Sequence, residues 1–212
     1  SRAALSVTGV STSVTYTGLA QTNGVASLSG VQGSDSFTIS GYGTGTNYSA
    51  TAYADNLLAT PASGTSASNY TITYTNGGIS IGKAGLVVTA DNKTRFYGDA
   101  NPTLTYTITG YVNNETASVL TGTPTIATTA TTTSGVGTVA ITAALGTLAS
   151  NNYSFATADG SLTINQKALT ITATNATKTY DGLAYTGGNG VTYSGFVNNE
   201  TASALGGTLT YG

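Results

Sequence analysis

Gly110 to Leu120 reads GYVNNETASVL, and Gly195 to Leu205 reads GFVNNETASAL, a second printing 85 positions later. The core VNNETAS is letter for letter the same in both. An identical heptad within 212 residues marks an internal repeat, which decides the architecture before any single element is read. Working outward, Lys83-Ala84 returns as Lys167-Ala168, and Tyr97-Gly98-Asp99 as Tyr180-Asp181-Gly182. Ser68-Asn69-Tyr70 returns as Asn151-Asn152-Tyr153, and Asn76-Gly77 as Asp159-Gly160; all these pairs lie 83 or 84 positions apart. The chain divides into modules at 1–82, 83–166 and 167–212. The last holds only the first half of the pattern, which the repeat logic reads as a piece of a longer chain.

Composition narrows the class. Charged residues are 7% of the chain, well below the roughly 25% of ordinary globular proteins, yet hydrophobic residues reach 39%. Disordered chains show the opposite balance, so a folded array is expected. Abundant Thr, Gly, Asn and Ser suit strands joined by turns. Cys, His, Met and Trp are absent. That removes disulfides, thiolate metal sites, the Cys nucleophile and the commonest general base. Lack of the oxidisable Cys and Met fits an extracellular bacterial surface. A net charge of −2 with six Lys and Arg offers no footprint for nucleic acid, and no apolar run is long enough to span a membrane.

Local patterns predict strands almost throughout. Tyr70, Ile72 and Tyr74 alternate with threonines, Asn76-Gly77 follows, and Ile79 and Ile81 continue, which predicts a hairpin with a type I′ turn. Tyr153 and Phe155, Asp159-Gly160, then Leu162 and Ile164 predict the same hairpin again. The heptad is the one place where a helix outscores a strand. Asn113 or Asn114 would cap it, Glu115 would face the positive end of its dipole, and it would run about two turns. Module one has no such segment. The junctions at Lys83 and Lys167 contain no flexible spacer, so consecutive modules should form a semi-rigid, elongated rod.

The module resembles the MBG and YDG repeat domains of large bacterial surface adhesins, the filamentous-haemagglutinin-like exoproteins. Lys83-Ala84, Phe96-Tyr97-Gly98-Asp99-Ala100-Asn101-Pro102, Gly110 to Leu120, Asn152-Tyr153 and Asp159 to Ile164 carry the resemblance. Residues 83–166 resemble the MBG type throughout. Residues 1–82 resemble the YDG type more loosely, with Tyr16-Thr17-Gly18 in place of Tyr-Asp-Gly. The third module mixes the two. The resemblance implies mainly β, small β-grasp-like modules with one short helix each, secretion, and a structural or adhesive role without catalytic residues.

Eight carboxylates, Asp35, Asp55, Asp91, Asp99, Glu115, Asp159, Asp181 and Glu200, could in principle pair for glycoside hydrolysis. Most sit at turns, where Asp is favoured for its own backbone hydrogen bonds, and no nucleophile–base set accompanies them. The chain therefore reads as no enzyme, with no cofactor and no metal. Asp91-Asn92 and Asp99-Ala100-Asn101 offer oxygen ligands for calcium but match no calcium-loop spacing. Lys83, Asn152 and Glu115 form a candidate set for an intramolecular isopeptide bond, against a plain reading as junction and turn residues. Aromatic residues at alternating positions read as core before they read as sugar-stacking platforms. The expected function is that of stalk repeats in a secreted adhesin or extracellular fibre. Its partners would be neighbouring modules, further copies by self-association into fibres, and host or surface glycans. A carbohydrate- or receptor-binding module of a cell-surface protein is the alternative.

Overall fold

A computed structural model describes residues 1–210; Tyr211 and Gly212, the last two positions of the third module, lie outside the described residues. β-branched and polar residues in alternation make the chain mainly β, as the sequence predicts. Ala3–Gly9 lies between Ala26–Ser29, antiparallel, and Tyr70–Thr75, parallel. Gly78–Gly82 lies between Ser11–Thr15, parallel, and Tyr53–Ala54, antiparallel. Ala84–Ala90 sits between Tyr106–Thr109 and Tyr153–Ala158 in a third sheet. A four-stranded sheet runs Lys93–Phe96, Gly160–Asn165, Gly137–Ala144, Thr125–Thr128. In the third module Thr170–Ala173 pairs antiparallel with Val191–Ser194.

The chain separates into two compact units. One gathers Ser1–Val88, Ile108–Thr125 and Ala144–Thr157; the other gathers Thr89–Thr107, Ile126–Ala143 and the described residues from Ala158 onward. Each unit thus contains parts of two sequence modules. In the first, Val7, Leu57 and Ala59 form one core, and Tyr16, Ile79, Ile81, Ala84, Leu86 and Tyr153 form another. In the second, Ala90, Ile141, Leu162 and Ile164 are buried together. Each fully buried Leu, Ile or Val contributes roughly 1.5–3 kcal/mol, and they come from strand positions two apart.

Neither predicted hairpin forms. Tyr70–Thr75 and Gly78–Gly82 belong to different sheets, and so do Tyr153–Ala158 and Gly160–Asn165. Asn76 and Gly77 lack the positive φ that a type I′ turn requires. They instead carry the chain from one sheet to the next, at the level where Gly9 and Val10 make the same change. The backbones approach so closely that a Cβ on Gly77 would stand 2.7 Å from the Val10 carbonyl. A buried carboxylate holds this crossing. Asp55, 3% exposed, accepts from Gly43 N (2.8 Å), Gly77 N (3.2 Å) and both ways from Asn23 Nδ2 (3.0 and 2.9 Å).

The helix expected at VNNETAS does not form either. Asn113 and Asn114 take left-handed φ values of 51° and 56°, which a right-handed helix cannot include. The one turn that follows, Ala117–Val119, is a 3-10 turn capped by Thr116, and Ala202–Ala204 repeats it behind Thr201. Each asparagine pair makes a tight turn, and Glu115 and Glu200 lie at its end instead of at a helix start.

Candidate functional site

Within the first compact unit, Tyr16 ends the strand Ser11–Thr15 and continues its ladder, donating from N to the Gly82 carbonyl at 2.8 Å. Its ring is buried, and its hydroxyl donates to Glu115 Oε1 at 2.6 Å. The other carboxylate oxygen accepts from the hydroxyl of Tyr153, a residue only 1% exposed. Tyr153 in turn accepts from Val112 N at 3.1 Å. The asparagine turn sets this geometry: Glu115 N donates to Val112 O at 3.0 Å, which aims the carboxylate between two rings. The rings of Tyr16 and Tyr153 meet edge to face, 5.5 Å between centroids. Asn113 adds a bond from Nδ2 to Gly18 O at 3.2 Å. Tyr16 belongs to module one, and Glu115 and Tyr153 to module two, so the cluster locks one repeat to the next.

The second unit repeats the arrangement. Tyr97 N donates to Asn165 O at 2.9 Å, and its hydroxyl donates to Glu200 Oε1 at 2.6 Å. Asn198 and Asn199 are again left-handed, and Glu200 N donates to Val197 O at 2.9 Å. Arg95, 6% exposed, holds the Tyr97 turn through Asn101 Oδ1 (2.9 Å) and the carbonyl of Phe96 (3.0 Å). Lys167 and Asp99 close the junction with a 2.8 Å ion pair. In both locks a left-handed glycine of the tyrosine turn lies under the following module's turn. A Cβ on Gly18 would stand 2.6 Å from Asn113 Cβ, and one on Gly98 2.4 Å from Val197 Cγ2.

Module one lacks the heptad but not its role. Gly30-Val31-Gln32-Gly33-Ser34-Asp35 occupies the same place: Tyr70 donates to Asp35 Oδ2 at 2.6 Å and accepts from Gln32 N at 3.0 Å. Asp35 N donates to Gln32 O at 3.0 Å, as Glu115 N does to Val112 O. The spacing from Gly30 to Asp35 equals that from Gly110 to Glu115, a signal hidden because only the glycine and an acid persist.

The carboxylate perturbs its tyrosines. The bond to Glu115, with burial, raises the Tyr16 pKa; burial, with the same bond, pushes Tyr153 from 10.0 to about 12. The bond to Asp35 raises Tyr70. A phenol whose folded pKa lies above its unfolded one stabilises the fold fully below pH 10. That contribution, on the order of 2 kcal/mol for Tyr153, is lost as pH rises through about 12. Tyrosinate absorbance should therefore develop in two stages, the late stage coinciding with unfolding between pH 10 and 12. Tyr153→Phe should remove part of that late stage.

The other candidate residues are held as follows. Lys83 and Asn152 line one pocket with Asn47, Tyr48 and Asn151. Lys83 Nζ donates to Ser150 O at 3.0 Å and lies 5.1 Å over the Tyr48 ring. Asn152 accepts from Tyr48 N and donates to Asn47 Oδ1, both at 3.0 Å, while Glu115 holds its two tyrosines. The proposed calcium oxygens are engaged too. Asp91 accepts from Thr105 Oγ1, Asn92 from Ser161, Asp99 from Lys167 and Asn101 from Arg95. Among the described residues no group of three acidic side chains converges.

Strand-built repeats joined by a recurring tyrosine–carboxylate contact define a class of tandem β modules. Residues 86–163 match the family model of the MBG domain, YGX type, so this stretch of the chain is similar to an MBG-type repeat domain. This family comprises structural and binding domains typical of extracellular surface proteins and is not known as an enzyme family. No curated protein and no solved structure matches the chain. No described helix is long and apolar enough to cross a membrane.

Proposed function

We propose that the chain is a set of stalk repeats from a secreted bacterial adhesin or extracellular fibre, giving reach and cohesion through small β-grasp-like modules stacked into a semi-rigid rod. The observation that carries this reading is the lock, used twice with the same partners: Tyr16 on Glu115 and Tyr97 on Glu200. A hydroxyl on a carboxylate is a charge-assisted bond, roughly twice as strong as a neutral one, and here part-buried. It couples each repeat to the next, so stability becomes a sum of module and interface contributions. Tyr16→Phe combined with Tyr97→Phe should shift the urea midpoint down and broaden the transition as modules uncouple. An unchanged midpoint and slope would overturn the reading, and selective binding on a glycan array would favour a recognition module instead. A covalent tie between Lys83 and Asn152 is part of the same proposal, and an intact-mass deficit of one ammonia is its signature.

A further inference from the structure

Both ends of module one run through two sheets in turn. Ala3–Gly9 and Ser11–Thr15 form a leading segment, and Tyr70–Thr75 and Gly78–Gly82 form a trailing one. The two lie side by side and parallel in both sheets. Ala3 stands opposite Tyr70 through to Thr8 opposite Thr75, then Ser11 opposite Gly78 through to Thr15 opposite Gly82. Tension along the chain pulls the leading segment toward its start and the trailing segment toward its end. On parallel strands these pulls act along the ladder in opposite senses, so its evenly spaced hydrogen bonds are all loaded together. Antiparallel end strands would be drawn apart from one end, one pair at a time.

Two features oppose sliding. Leu5, Val7, Tyr70, Ile79 and Ile81 are buried along these segments. A slip of one residue, about 3.3 Å, would turn a segment's apolar side chains to the opposite face of its sheet. Where the segments change sheets, a buried polar chain ties them. Asn23 Nδ2 donates to Val10 O of the leading segment at 2.8 Å and also to Asp55. Asp55 accepts from Gly77 N of the trailing segment at 3.2 Å and donates from its own N to Gly77 O at 3.1 Å. A Cβ on Gly9 would stand 2.6 Å from Gly77 N, so the two backbones interlock at this level. The second compact unit has the same pairing. Lys93–Phe96, early in module two, runs parallel to Gly160–Asn165 at its end, from Lys93 opposite Leu162 to Phe96 opposite Asn165.

We propose that modules one and two are shear clamps, whose parallel end ladders resist tension along the chain far better than tension applied from one end of the ladder. The clamp goes beyond the lock described under Proposed function. The lock joins one module to the next, whereas the clamp lies within a module and uses other residues.

Single-molecule force spectroscopy of the whole chain tests this, and the absence of cysteine lets paired cysteines set the direction of pull. Ser1→Cys with Gly82→Cys loads the two segments of module one from opposite ends, in shear. Ser1→Cys with Ser68→Cys loads them from the same end and parts Ala3 from Tyr70 first. All three positions are exposed, and a Cβ on Gly82 meets only Val14 O, at an ordinary 3.6 Å. At equal pulling speed the shear pair should yield at a several-fold higher force than the peeling pair. Asp55→Asn should lower the shear force and leave the peeling force unchanged, because peeling begins at the ladder end away from the crossing. Equal forces in the two directions overturn the clamp, whether or not the Asp55 variant folds, and leave the lock intact. A folded Asp55→Asn chain with an undiminished shear force overturns the part given to the crossing. A urea transition indifferent to Tyr16→Phe and Tyr97→Phe overturns the lock and leaves the clamp.

Discussion

Glu115→Ala is expected to lower stability by about 3–5 kcal/mol, because it strips two phenols of their acceptor within a packed aromatic cluster. Tyr153 is 1% exposed and Tyr16 5%, so neither hydroxyl can turn to bulk water without opening the core around Ile79, Ile81 and Leu86. Glu115→Gln keeps the shape and one good acceptor and should cost about half as much. Glu200→Ala serves as the internal comparison. Glu200 is half-buried and takes one tyrosine among the described residues, so the loss should be about 1–2 kcal/mol. Urea denaturation followed by tyrosine fluorescence reads all three, since the chain has no Trp. Equal losses at the two glutamates would contradict the two-phenol account.

Asp55→Asn is the second large effect, expected at about 3–4 kcal/mol despite the conserved shape. The carboxylate of Asp55 accepts from Gly43 N, Gly77 N and Asn23 Nδ2. An amide presents only one oxygen, so its NH2 would be pressed against an N–H with no water to intervene. Asn23 cannot rotate to compensate, since its Nδ2 also donates to Val10 O at 2.8 Å and its Oδ1 accepts from Thr12 at 2.8 Å. The measurement is a shift of the urea midpoint with unchanged slope. A loss below about 1 kcal/mol would mean that the crossing of the two sheets is held by its backbone alone.

Strand content, the repeat and its period were legible because they rest on patterns that a single segment displays. Leu5 and Val7 alternate with Ser6 and Thr8, and they are buried as that alternation requires. The partner of each strand was not legible. Asn76-Gly77 looks like a hairpin turn because the local signal cannot register that Tyr70–Thr75 finds a parallel neighbour in Ala3–Gly9, more than 60 positions away. The same limit applies to VNNETAS. Its residues suit a helix start in isolation, but the Tyr16 and Tyr153 hydroxyls compete for Glu115, and two left-handed asparagines deliver the carboxylate to them. Repetition of Tyr97 and Tyr180 was visible, yet nothing local links a tyrosine to an acid about 100 positions downstream. Asp35 was hidden for the opposite reason: its turn keeps the geometry with almost none of the letters.

The division of the lock between neighbours has a genetic consequence. Module two supplies a donor toward one side, Tyr97, and an acceptor toward the other, Glu115, so its two junctions use the same pair of residue types. Unequal crossing-over that deletes or duplicates whole modules would keep the lock tyrosine of one module opposite the acid of the next, as Tyr16 faces Glu115 and Tyr97 faces Glu200. A gene built this way can change the length of its product without new interface mutations, while a gain or loss of half a module strands a donor or an acceptor.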